Sequence, residues 1–558
     1  MNSRAGKAII VCLLVTFLFS LPNYVFAEIQ TPENVRIGLY FTSISSHMET
    51  AVSDFYINSR AGLQIGFFEN EKFTVLYEEP TSNNIIIRKD SHFVINEGSF
   101  TGYDPTADNI PAGQRIGPYH VQIGGDFSDL NLLNIQLDAV RQKGIDAYAA
   151  FTGTWKIWTG FYIDLNEAEQ SIANDIVQKL GEGAYAVVQP APNRIVAVTS
   201  KNQTALIYGY GTGLCQIRPK AENNPYAFNI NDTCYRGIIE VRRITGSDMT
   251  VINILSLEQY LYGVIPYEIG AGSHEEALKA QAVAARTYTL CTLGKYNQLG
   301  FDLCTTTSCQ VYKGFSGETP KSNKAVDDTK GKKLTYNGKL AQTFFFSSSG
   351  GRTEDAKNVW GTDIPYLKSV EDRYESGKSR YYEWESIYSA GELKNILLGL
   401  NNDIGDITNT AVTKVSESGR AIELEIKGTK AAGPCVFLRE NCRYKFSLLR
   451  SQWYTITTDA DVSVRIKESI NTETQLGDKK VMTAKGLKTI RAANYKISVL
   501  GAQNKKYSIP VIPTEYVFTG KGWGHAVGMS QEGAKGMANA GIKYDKILLH
   551  YFLGTKLE

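Results

Sequence analysis

Residues 255–290, LSLEQYLYGVIPYEIGAGSHEEALKAQAVAARTYTL, constrain this chain more than any other stretch. Ser273 to Leu290 reads as one long, alanine-rich helix, and the segment before it is broken by Gly263, Pro266, Gly270 and Gly272. Ser273 followed by Glu276 has the spacing of a capping box, and acidic charge in a first turn suits the helix dipole. Glu275 and Glu276 therefore have structural reasons to be where they are. Glu268 has none. It sits in a turn-rich break among Ile265, Pro266, Tyr267 and Ile269. Partly apolar surroundings raise a carboxyl pKa and let a glutamate donate a proton near neutral pH. A solvated loop glutamate is the plain alternative.

The same stretch resembles the stage II sporulation protein D family, which shares a domain with the amidase enhancers. GVIPYE at Gly263–Glu268 and EALKAQAVAARTY at Glu276–Tyr288 carry the likeness. It continues in CQVYKG at Cys309–Gly314, SSSGGRTE at Ser347–Glu354, the Val359–Val370 segment and, more weakly, LRSQWY at Leu449–Tyr454. GKGWGHAVGMSQEGAKGMA at Gly520–Ala538 and YDKILLHYFLGT at Tyr544–Thr555 close the set, so the blocks span about 235–558. The resemblance implies a peptidoglycan lytic transglycosylase acting on peptide-stripped glycan strands. Glu268 would be its general acid/base. Arg286, Gln310, Tyr312, Ser347, Ser348, Ser349, Gly350, Trp523, His525 and Gln531 would bind substrate, with Arg286 or His525 also placed to pair with or orient Glu268.

The N-terminus points outside the cytoplasm. Arg4 and Lys7 precede the apolar run Ala8–Leu21, and Val25-Phe26-Ala27 offers a cleavage pattern before Glu28. An uncleaved membrane anchor is the alternative to a signal peptide. The 558 residues suffice for two or three domains. A net charge of +2 without a basic stripe gives no case for nucleic acid. Export makes cysteine pairing relevant, and the local pairs are Cys215–Cys234, Cys304–Cys309 and Cys435–Cys442, with Cys291 left as a small buried hydrophobe. Some family members resemble Cys/His zinc sites near LCTTTSCQVY. Here Ser308 stands where a histidine is expected, so disulfides or free thiols are preferred and no metal or other cofactor is expected.

From Gly117 the pattern reads strand, helix, strand, strand, helix, strand, which looks like a sporulation-related (SPOR) repeat, a βαββαβ module binding peptide-free glycan. Gln122 and Phe127 match its signature, with Asp126 inserted, and Trp158 and Phe161 fall on its second core strand. Those four residues are its candidate glycan contacts. Strand alternation puts Trp155 and Ile157 on one face and Trp158 on the other, so one tryptophan should serve the core and one the ligand. A generic ferredoxin-like fold without ligand is the alternative.

The expected class is α+β: a signal peptide or anchor at 1–27, a β-rich region at 28–116, the SPOR-like module at 117–192, and a β-rich catalytic domain with a long active-site helix at 193–558. Within the last, 376–445 is α+β without visible chemistry. Three functions compete. The first is a secreted or membrane-tethered lytic transglycosylase at the cell wall, which needs one carboxylate where hydrolytic glycosidases need two. The second is a non-catalytic peptidoglycan-binding activator whose partner is a cell-wall N-acetylmuramoyl-L-alanine amidase. The third is a structural wall protein retaining only the fold.

Overall fold

The alanine-rich stretch forms the helix Glu275–Thr292, and its composition explains its position. Ala277, Ala280, Ala282, Ala284 and Ala285 are all fully buried, because side chains this small let other helices approach from several sides. Leu257–Ile265, Pro320–Asp328, Gln531–Asn539 and Tyr544–Tyr551 all pack against it. A computed structural model describes residues 32–558 except 44–46, 212, 221–226, 245–246, 376, 378, 431–432, 467–468, 474–478, 484, 491–495 and 501–503. The leader and its cleavage pattern lie outside the described residues. Among those described, no helix is long and apolar enough to cross a membrane.

The expected capping box does not form. The His274 imidazole caps the helix instead, Nδ1 accepting the Glu276 N–H at 3.2 Å. The Ser273 hydroxyl turns back to the Ile269 carbonyl at 2.7 Å. Glu276 is committed elsewhere, accepting the Tyr544 N–H at 2.8 Å and so seating the helix near the C-terminus.

The chain also builds two large sheets. One has seven strands in the order Leu303–Cys304, Asn34–Tyr40, Met249–Ser256, Ile238–Arg243, Cys215–Pro219, Leu63–Glu69 and Lys72–Glu79. It therefore joins the N-terminal region to strands on both sides of Glu268. The second sheet has ten strands, beginning Tyr185–Val188, Tyr119–Phe127, Trp155–Tyr162 and Ala147–Phe151. Those four are the βαββαβ strands in spatial order 4-1-3-2. Ala147–Phe151 then pairs in parallel with Thr204–Tyr208, so the sheet runs on past the expected module boundary into six further strands. A separate core gathers around Trp384, Leu393, Phe446 and Phe518, covered by the sheets 383–389/515–521/454–458 and 407–415/421–428/435–438.

Candidate active site

Pro266 follows directly on the helix Leu257–Ile265 and has no N–H to continue its ladder. The chain widens into a π-helical turn, Pro266–Gly270, in place of the expected loop-like break. Gly270 ends it at φ 85°, in the left-handed region where glycine is favoured. Gly263 lets the turn sit close to its neighbour, since a Cβ there would lie 2.6 Å from the Tyr312 ring and 2.7 Å from the Gly314 carbonyl. Single π turns of this kind recur at functional sites.

This turn holds the Glu268 carboxylate half-buried. Oε1 accepts the backbone N–H of Val311 at 2.7 Å, and Oε2 accepts Nε2 of Gln531 at 3.3 Å. Burial pushes the Glu268 carboxyl above its usual value, and these two hydrogen bonds pull it only partly back. A carboxylate can accept about four hydrogen bonds, so two acceptor positions remain for substrate or water.

Gln310 and Tyr312 act as anchors for the intervening N–H, not as sugar contacts. Gln310 is fully buried and donates to Thr289 Oγ1 at 2.8 Å. The Tyr312 hydroxyl, also buried, donates to Asn253 Oδ1 at 2.8 Å. Between them, Val311 presents its N–H to Glu268. Gln531 is the first residue of the helix Gln531–Asn539, capped by the Ser530 hydroxyl. The next residue, Glu532, donates its N–H to the Ser347 carbonyl at 3.0 Å, bringing the serine-rich loop beside the glutamate turn.

Within that loop the serines divide. Ser348 and Ser349 give their hydroxyls to the Glu375 carboxylate, which also accepts the N–H groups of Ser349 at 2.9 Å and Gly350 at 3.0 Å. Their donors are therefore spent inside the protein. Only Ser347 keeps a half-buried hydroxyl without a partner among the described residues. Trp523 pairs with Ser348 through both backbone bonds, at 2.8 and 3.1 Å, and leaves 39% of its surface exposed.

Arg286 and His525 depart from expectation. Arg286 is buried and forks onto Glu258 at 2.9 and 2.6 Å, with the carbonyls of Lys332 and Val326 each at 3.2 Å. It fastens neighbouring helices to one another and does not pair with Glu268. The His525 ring stands among Trp360, Phe346 and Phe344, at 5.2, 5.4 and 6.3 Å, and Nδ1 accepts the Val527 N–H at 3.1 Å. Burial first, then the charge of Arg443, lowers its pKa to about 3, so the ring stays neutral.

A protein family described as stage II sporulation protein matches residues 245–336, the stretch that carries the glutamate turn, its helix and the Val311 segment. A domain of unknown function matches 366–470. An uncharacterized protein of Brachyspira hyodysenteriae is 31% identical over 310 residues, covering 55% of this chain and 68% of the relative. The amidase enhancer of Bacillus subtilis is 32% identical over 299 residues, 53% of this chain but 40% of the enhancer. Stage II sporulation protein D of Bacillus subtilis is 29% identical over 327 residues, 56% of this chain and 77% of that protein. Residues 245–336 thus carry a domain of the stage II sporulation protein family, and the chain is similar to stage II sporulation protein D and to an amidase enhancer.

The segment LCTTTSCQVY does not assemble a zinc ligand set among the described residues. Cys304 and Cys309 bring their sulfurs to 2.9 Å, beside the hydroxyls of Thr306 and Tyr296. No third His, Cys, Asp or Glu joins them among the described residues, short of a four-ligand site. All seven described cysteines are free thiols. Cys215 lies in the seven-stranded sheet and Cys234 in the ten-stranded one. Cys291 is half-buried, its thiol donating to the Ala341 carbonyl at 3.2 Å.

The four residues expected to touch glycan in the βαββαβ unit are mostly enclosed. Trp155 and Trp158 do face opposite sides, but both are buried, at 6% and 3% exposure. Trp158 stacks on His120 with ring centroids 5.2 Å apart, and Phe161 stacks on Tyr148, also at 5.2 Å. Above them lie Phe100, from the three-stranded sheet 93–96/99–102/114–116, and the Arg88 guanidinium, 4.6 Å from the Phe161 ring. The ring face expected for sugar is thus roofed by a second sheet. Gln122 is occupied locally, donating to the Gly124 carbonyl and Asp126 and accepting from Trp158 Nε1. Phe127 is partly buried against the main core.

Proposed function

We propose that this protein is a peptidoglycan lytic transglycosylase that cleaves peptide-stripped glycan with Glu268 as its acid and base. The observation that carries this is a half-buried carboxyl with a raised pKa, fixed by two donors and left with free acceptor positions. Protonated Glu268 gives its proton to the glycosidic oxygen as the bond to the anomeric carbon breaks. The resulting carboxylate then takes the proton of the muramic acid C6 hydroxyl, whose oxygen closes a 1,6-anhydro ring on the same carbon. One group serves both steps, and water is not consumed.

A hydrolase would need a second carboxylate about 5–5.5 Å or 6.5–9.5 Å away. The two sequence candidates are engaged elsewhere. Glu275 is paired with Lys279 at 2.6 Å, and Glu354 is buried among Ser416, Ser418 and Asn358. The deciding experiment is mass spectrometry of peptide-stripped strands incubated with the protein. Ends carrying 1,6-anhydro-muramic acid are expected, and reducing-end sugars would mean that water is the acceptor and the assignment is wrong.

The amidase-enhancer relative favours a second reading, in which the chain binds peptidoglycan and activates an amidase without cleaving glycan itself. It predicts no glycan products from the protein alone and a faster release of stem peptides when an amidase is added. Either activity belongs outside the cytoplasm, consistent with the basic and apolar N-terminal pattern from Arg4 to Ala27.

A further inference from the structure

The lobe built around Trp384 and Phe518 has so far been given no task, yet it adjoins the serine-rich loop beside the glutamate turn. Trp523 stands next to Ser348, one residue along from the Ser347 carbonyl that receives the helix of Gln531. Tyr381, from the segment matching a domain of unknown function, meets the Trp523 ring edge-on at 4.3 Å and 77°. The Arg450 guanidinium lies 5.2 Å from the Tyr381 ring and 5.9 Å from that of Trp523. Arg380 approaches the same Tyr381 ring at 5.1 Å.

Two guanidiniums thus share one ring, and among the described residues neither has a carboxylate or hydrogen-bond partner. Two other arginines of the lobe are engaged within the protein: Arg443 pairs with Glu440, and Arg420 bonds to the carbonyls of Ser349 and Arg352. Each guanidinium keeps its donors free for an anion, and the planar fork fits a carboxylate best. An exposed indole beside them suits the apolar face of a sugar ring.

We propose that Trp523, Tyr381, Arg450 and Arg380 form a subsite for a carboxylate-bearing sugar of the glycan. This rests on the glycan-cleaving reading above, in which the anion is the lactyl carboxylate of muramic acid. A stem peptide converts that carboxylate to a neutral amide, so the arginines select strands from which peptides have been removed. The lobe supplies the selectivity and the family domain supplies the acid.

The test uses the full chain carrying Glu268→Gln, which separates binding from turnover. Its affinity is measured for peptide-stripped strands, for the same strands amidated with carbodiimide and methylamine, and for a uronic acid oligomer as competitor. Stripped strands should bind about tenfold or more tightly than amidated ones, the scale of a charge-assisted hydrogen bond. Adding Arg450→Ala should abolish that preference without weakening binding to amidated strands, and Arg450→Lys should retain part of it. Arg380, being exposed, gives a second variant, Arg380→Ala, which should reduce the preference without disturbing the fold. Equal binding of stripped and amidated strands, or a preference that survives both alanine variants, overturns the subsite. Full competition by the uronic acid oligomer overturns the lactyl assignment. Selective binding without anhydro products from the unmutated chain supports the subsite and removes the lytic reading; products without selectivity do the reverse.

Discussion

Glu268 and Glu375 are both carboxylates withdrawn from water at neighbouring turns, and they have opposite fates. Glu375 is enclosed by two hydroxyls and two backbone N–H groups of the serine-rich loop and by a longer bond from the Ser379 hydroxyl at 3.3 Å, which together fill its acceptor capacity. Glu268 receives one strong and one long hydrogen bond, from segments 43 and 263 residues away. Both have pKa values raised first of all by burial. A raised pKa therefore does not by itself single out the proposed acid. Unused acceptor capacity does.

The largest effect that tests this contrast is on rate. Glu268→Gln should lower product formation by about 10²–10⁴-fold, the usual loss on removing a positioned general acid, while thermal unfolding stays close to that of the unmutated chain. Near-normal turnover would transfer the chemistry elsewhere and erase the difference between the two glutamates. Glu375→Ala should behave in the opposite way. It leaves buried donors at Ser349 and Gly350 unpaired and should destabilise the protein by about 1–3 kcal/mol in denaturant unfolding. Activity per folded molecule should change far less than in Glu268→Gln.

Stability should also depend on pH, and the sign follows from both shifts being upward. Between the ordinary glutamate value of 4.5 and the folded value, the native state holds a proton that the unfolded chain has lost. Stability is therefore highest below that window and falls as pH rises through it, with Asp372, also raised by burial, acting in the same direction. Unfolding curves recorded at several pH values should flatten in Glu375→Gln; an unchanged slope would remove Glu375 from the account. The smallest expected effect is that of Gln531→Ala. It deletes a 3.3 Å bond that favours the ionised form of Glu268, so the alkaline limb of the pH–rate profile should move upward, with a rate change of only about a few fold.

The glutamate turn was legible because proline and glycine announce a break and because neighbouring acids had other employment. Its partners were not. Val311 contributes a backbone N–H, which every residue type other than proline carries, and Gln531 was singled out only through family likeness. The capping box failed for a tertiary reason: the chain near Tyr544 claims Glu276. Strand alternation placed Trp155 and Trp158 on opposite faces correctly. It carried no information about the sheet at 93–116 that covers the second face, since that roof comes from a different part of the chain. Arg286 misled similarly, because a charged side chain on a core helix gives no sign of whether its partner is a ligand or a buried neighbour.

The seven-stranded sheet also bears on the order in which the molecule is made. Its strand Asn34–Tyr40 lies between Met249–Ser256 and Leu303–Cys304, so it must wait more than two hundred residues of synthesis for either neighbour. Pairings of such long range are slow to form. Glu268 receives its second ligand later still, when Gln531 has been added. A nascent chain with everything up to that point holds the glutamate without its full setting. On the lytic reading proposed above, the acid therefore gains its full setting only when the last part of the chain has been made.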